Sequence, residues 1–148
     1  MLGLNGSQNP FSGTPTYRSI EHLPLDQRVE AMSQPNIRAK ILSEDPVKQS
    51  TFPLIHRILF TQMFRLGSPA NYTPSPEESI SAMAQNLGMS PQEMAYDILL
   101  ENQGRGFIYA PLVNYANYTM DACAEMLDDP YSIMGLGDGG AHVGFILD

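Results

Sequence analysis

The chain has 148 residues, one domain's length against a prior of about 100–200 residues, and short of the roughly 250 that a closed (β/α)8 barrel needs. At 43% apolar and 16% charged residues it can bury a core, while 12 Gly and 12 Pro mark it as loop-rich. Its 8 basic against 16 acidic residues, a net charge of −8, exclude nucleic acid and anionic membrane as main partners, since both recruit Lys and Arg. No apolar run approaches the ~20 residues of a membrane span, and Met1 to Gly13 has neither a basic nor a long apolar leader region, so the expected location is cytoplasmic.

Residues 1–24 carry turn formers throughout: Gly3, Asn5, Gly6, Asn9-Pro10, Gly13, Thr14-Pro15 and Pro24. That density resists helix and strand ladders and predicts an irregular segment. Residues 25–104 read as a mostly helical insertion. Leu25, Val29 and Met32 at i, i+4, i+7 predict a short helix stopping near Pro35; Ile37, Ile41 and Leu42 predict a second, ended by Asp45-Pro46. Leu54, Ile55, Ile58, Leu59 and Met63 set another helical stripe within Phe52 to Phe64.

Two capping boxes come next, Ser75-Pro76-Glu77-Glu78 and Ser90-Pro91-Gln92-Glu93, each with an N-cap serine, a proline at the first helical position and an acid at the third. The stripes Ile80, Met83, Ala84, Leu87 and Met94, Ala95, Ile98, Leu99 predict the two helices, with Gly88 and Gly104 as stops. Joined by about two residues, they form an αα-hairpin, which is structure rather than chemistry.

Residues 105–148 read as strand, helix, strand. Phe107 to Ala110 is an apolar run fit for a buried strand. Met120, Cys123, Ala124 and Leu127 make an amphipathic helix capped by Thr119 and closed by Asp129-Pro130, with Cys123 as core. Ser132 to Leu136 reads as a second buried strand, completing the βαβ grammar of a parallel sheet.

That strand would deliver the run Gly135-Leu-Gly-Asp-Gly-Gly-Ala-His142. Glycines on both sides of Asp138 let the backbone turn sharply and leave the carboxylate unshielded, where α/β folds place their sites. A turn whose aspartate bonds its own backbone explains the same letters. Gly135, Gly137 and Gly140 also spell a phosphate loop, but Val143 to Asp148 is too short and β-rich to open the helix such a loop requires. His142 is near enough to share a cavity with Asp138, or is a structural histidine. Tyr109, Asn114, Tyr115 and Tyr118 offer ligand hydrogen bonds or ordinary loop contacts, and Arg65 and Arg105 are carboxylate clamps or solvated charges. With Cys123 the sole cysteine and His22, His56 and His142 far apart, the chain holds no disulfide, no Cys-based zinc cage and no His-x-His pair.

At Gly135 to Val143, together with Arg38-Ala-Lys-Ile-Leu42, Asn71-Tyr-Thr-Pro74 and Asp128-Asp-Pro130, the chain resembles amidohydrolase family 3. This is the branch of metal-dependent amidohydrolases that includes N-acyl-D-amino-acid deacylases. The similarity runs in order over nearly the whole chain, and Asp138 to His142 is its most specific part. The resemblance implies an α/β fold, the C-terminal part of a (β/α)8 barrel. It implies a divalent metal, zinc being the expected ion, with Asp138 as ligand and as general base on the attacking water. Gly139, Gly140 and His142 would lie beside the substrate. The family's histidine ligands have no counterpart here, so the expectation is part of a hydrolase for linear amide C–N bonds, acting on N-acyl-D-amino acids and inactive alone. The rival reading is a non-catalytic acidic helical interaction module, for which the paired helices, the charge of −8 and nine Met residues speak.

Overall fold

A computed structural model describes residues 1–6, 8–46, 60–111 and 115–135. Helices dominate: α1 Pro15–Ile20, α2 Leu25–Met32, α3 Pro35–Ser43, α4 Ile80–Leu87, α5 Pro91–Gly104 and α6 Asp121–Asp128. Among the described residues three short strands, β1 Leu2–Gly3, β2 Phe64–Arg65 and β3 Phe107–Tyr109, form one sheet in the order β1-β3-β2.

The first helix overturns the irregular reading of residues 1–24. Thr14-Pro15 starts a helix rather than breaking one: the Thr14 hydroxyl accepts from Tyr17 N–H, and Pro15 sits where a missing N–H costs nothing. Glu44, just past α3, then takes the N–H and the hydroxyl of Thr16 at 2.8 and 2.5 Å, tying the start of α1 to the end of α3. A carboxylate at the N-terminal end of α1 is also favoured by the helix dipole.

The helices α2 and α3 follow their apolar stripes, burying Met32 and Ile41. The α4–α5 hairpin forms, with one change in its caps. Pro76–Glu78 is a separate 3-10 turn in which Glu78 accepts from Ser75 N–H, and α4 begins later with Ser79 as its own N-cap. Gly88 ends α4 at φ 68°, a left-handed position that glycine adopts without a Cβ penalty. Ser90 caps α5 as expected, accepting from Glu93 N–H while the Glu93 carboxylate takes Ser90 N–H.

The centre of the core is α5, which buries Met94, Ala95, Tyr96, Ile98 and Leu99 against α2, α4 and β3. Tyr96 is fully buried; its hydroxyl donates to the Met32 carbonyl at 2.8 Å and its ring meets Phe11 edge-on at 5.4 Å. The Arg38 guanidinium lies 4.9 Å over the same ring and pairs with Asp97, locking α3 to α5. Near its C-terminus α5 unwinds: Asn102 and Gln103 take left-handed backbone, and the N–H groups of Arg105 and Gly106 both donate to Glu101 O. Gly106 then passes so close to the Ile98 carbonyl that a Cβ there would collide with it.

The sheet corrects the expected topology. The Phe107 to Ala110 strand exists as β3, but both pairings are antiparallel, Leu2 opposite Ile108 and Phe64 opposite Tyr109. Ser132 to Gly135 is not a strand, and the helix before it has no buried residue, so the parallel βαβ unit is absent from the described residues. β3 packs on α5, and its two partners come from positions far off in the chain, which local alternation does not specify. The expected Phe52 to Phe64 helix lies mostly outside the described residues; its visible end is a 3-10 turn, Phe60–Gln62, and then β2.

Candidate functional site

Asp138, Gly139, Gly140 and His142 lie outside the described residues, as do His56 and Asn114. The structure shows the approach to the Asp138 run. From Tyr131 to Gly135 the chain is fully exposed, Tyr131 at 96%, Ile133 at 94% and Met134 at 83%, and a Cβ added to Gly135 would meet open space. The buried strand expected to present Asp138 is therefore missing from its described portion. Cys123, expected in the core, is half-buried on a helix with no buried residue. Thr119 is not the cap expected for that helix: Met120 holds the N-cap position with no side-chain cap bond, and the Thr119 hydroxyl accepts from Asp121 N–H at 3.1 Å.

The remaining candidates divide into structural groups and solvated ones. Arg65 is committed to Glu101, Nε to Oε2 at 2.8 Å, and Arg105 is exposed. The tyrosines gather around Phe64: Tyr115 and Tyr118 meet its ring edge-on, each at 6.3 Å, and Tyr109 lies at 6.5 Å. Two of their hydroxyls are spent on backbone, Tyr115 on Pro74 O at 2.5 Å and Tyr118 on Thr61 O at 3.1 Å. Burial first, then the neighbouring Tyr109, pushes the Tyr115 hydroxyl up from its ordinary value. This cluster fastens the loop at residues 115–118 to the sheet.

Among the described residues no three His, Cys, Asp or Glu side chains gather where one ion would touch them all. The divalent ion implied by the resemblance would therefore need ligands from outside the described residues. No described helix is long and apolar enough to cross a membrane.

A polar groove that sequence reading missed lies at the other end of the chain. It encloses about 370 Å³ between the loop after β1 (Leu4, Asn5, Gly6), Ser12, Tyr17 and Glu21 on α1 and its end, and Leu23 to Arg28 at the start of α2. Arg28 holds these parts together: Nη1–H groups donate to Leu4 O at 2.8 Å and to the Tyr17 hydroxyl at 3.4 Å, and Nη2–H donates to Leu23 O at 2.8 Å. Its Nε is buried without a hydrogen-bond partner. Burial pushes the Tyr17 hydroxyl up, and Arg28 beside it pulls the other way. No local signal marks Arg28, because its partners lie 5 to 24 residues away.

The chain matches no family model, no curated protein and no solved structure.

Proposed function

We propose that the chain is part of a cytoplasmic metal-dependent hydrolase that cleaves linear amide C–N bonds, with N-acyl-D-amino acids as its substrates. The observation that carries this reading is the run from Gly135 to Val143, where Asp138 stands between glycines with His142 four residues on. Substrate class rests on the family resemblance alone. Asp138 accepts the proton of the attacking water and returns it to the departing amine, while Gly139, Gly140 and His142 border the substrate. A bound divalent ion, zinc by the resemblance, lowers the pKa of water toward about 7 and so lets a carboxylate serve as the base. Asp138 would be one of its ligands and the rest would come from polypeptide beyond these residues, since a catalytic zinc site normally takes three protein ligands.

The test has two parts. The 148 residues with added zinc should not turn over N-acetyl amino acids, and turnover by them alone would overturn the reading. In an enzyme that joins this chain to a His-x-His segment, Asp138→Asn should lower kcat by about 10²–10⁴-fold with little change in substrate binding. Near-normal turnover would reduce Asp138 to a turn residue.

A second reading, an acidic interaction module, is favoured by one observation. Helix α6 buries no residue and shows Met126 and Leu127 at 55% and 64% exposure, next to the exposed run from Tyr131 to Met134. The reading frame upstream separates the two: a His-x-His pair supports the hydrolase, its absence the module.

A further inference from the structure

We infer that the groove around Arg28 binds a free α-amino acid as its zwitterion, the carboxylate facing Arg28 and the ammonium facing Glu21. The inference stands on the groove alone and holds whether or not the chain belongs to a hydrolase.

Charge is the first argument. Arg28 carries a permanent positive charge, yet among the described residues no carboxylate pairs with it; its three hydrogen bonds go to two carbonyls and a phenol. A guanidinium has five N–H donors; of the two not used, Nε is buried, so the second Nη2–H is the one left for a ligand. Glu21, exposed on the same groove, has no cation within ion-pair distance among the described residues. Two opposite charges thus line one cavity without closing on each other. A simple anion placed there would gain Arg28 and be repelled by Glu21, and a simple cation the reverse. A ligand that carries both charges on neighbouring atoms satisfies both walls.

Size and lining point the same way. About 370 Å³ lies at the small end of the roughly 300–1,000 Å³ of ligand cavities, which suits an amino acid better than a nucleotide or a peptide. Asn5 and Ser12 add hydrogen-bonding groups, and Leu4, Leu23 and Leu25 give a small apolar wall for a short side chain. The groove is also held in shape before any ligand arrives, because Arg28 already ties three separate segments together, which lowers the ordering cost of binding.

The experiment is a titration of the ¹⁵N-labelled chain with alanine, propionate and ethylamine at constant ionic strength, monitored by amide cross-peaks and the Arg28 Nε–H cross-peak. Alanine should shift Asn5, Gly6, Leu23 and Arg28 Nε saturably, and propionate and ethylamine should bind about two- to fivefold more weakly or worse. Glu21→Gln, which removes no hydrogen bond among the described residues, should weaken alanine and strengthen propionate by about two- to fivefold each. Equal binding of alanine and propionate, or an unchanged preference in Glu21→Gln, overturns the inference. Asp138→Asn should leave the alanine shifts intact; their loss would move the ligand to the proposed hydrolase site and overturn the groove's role.

Discussion

Helices α5 and α6 start from similar sequence material and end in opposite environments. Both carry apolar residues at helical spacing, although only α5 begins at a side-chain cap. Yet α5 buries five large or small apolar side chains at the heart of the fold, while α6 buries none. The difference lies in the neighbours. The α5 stripe faces α2, α4 and β3, each of which brings its own apolar face, whereas no described element brings one to α6. An amphipathic pattern states that a helix has a face to hide; the rest of the chain decides whether it is hidden.

The sharpest way to break this comparison is truncation on both helices. Tyr96→Ala should cost about 3–5 kcal/mol and Leu99→Ala about 2–5 kcal/mol, from lost burial plus the cavity left behind. Leu127→Ala on α6 should stay within about 0.5 kcal/mol of the parent. Urea denaturation midpoints would read all three, and a loss at Leu127 approaching that at Leu99 would mean that α6 is covered in solution. A smaller effect is expected at the helix starts. Ser90→Ala should lose about 0.5–2 kcal/mol, whereas Thr119→Ala, on a helix that adds little to the fold, should be close to neutral by the same measurement.

Two titrations sharpen the α5 side further. Burial pushes the Tyr96 hydroxyl up to about 12, so between pH 10 and about 12 the unfolded chain loses a proton that the folded one keeps. Stability should therefore fall as pH rises through that window, and Tyr96→Phe should flatten the fall. At the acid end, bonds from the Ser90 hydroxyl and then the Ser90 backbone N–H hold the Glu93 carboxyl below its usual 4.5. A depressed folded value means the stabilisation is present above the unfolded value and lost as pH falls through the folded one. Thermal melts from about pH 6 to about pH 3 should show this small loss, and Glu93→Gln should remove it.

Much of the helical part was legible because its signals are local. Proline after serine, a glutamate two residues on and a glycine at the far end place α5 within a residue of its observed start. The same local logic misread Thr14-Pro15, since a proline after a threonine can end the element on its N-terminal side and equally well open a helix on its C-terminal side. Strand direction was not legible: that Leu2 lies opposite Ile108 is a fact about residues more than a hundred positions apart. The Asp138 run is readable only as a pattern of glycines around an acid, and its structural test lies outside the described residues. The Arg28 groove gave no pattern at all, because it consists of one side chain reaching three segments that local periodicity treats as unrelated.

Six of the nine methionines are divided between the two environments in a way that makes them chemical reporters. Met32, Met63 and Met94 are sealed in the core, while Met120, Met126 and Met134 face solvent. Peroxide should convert these exposed three to sulfoxides with the fold intact, the half-buried Met1, Met83 and Met89 more slowly, and reductases can reverse that damage. The inner three become reachable only when the packing around α5 opens. The ratio of inner to outer sulfoxide, read by peptide mass, would then record how often the core has opened during the exposure.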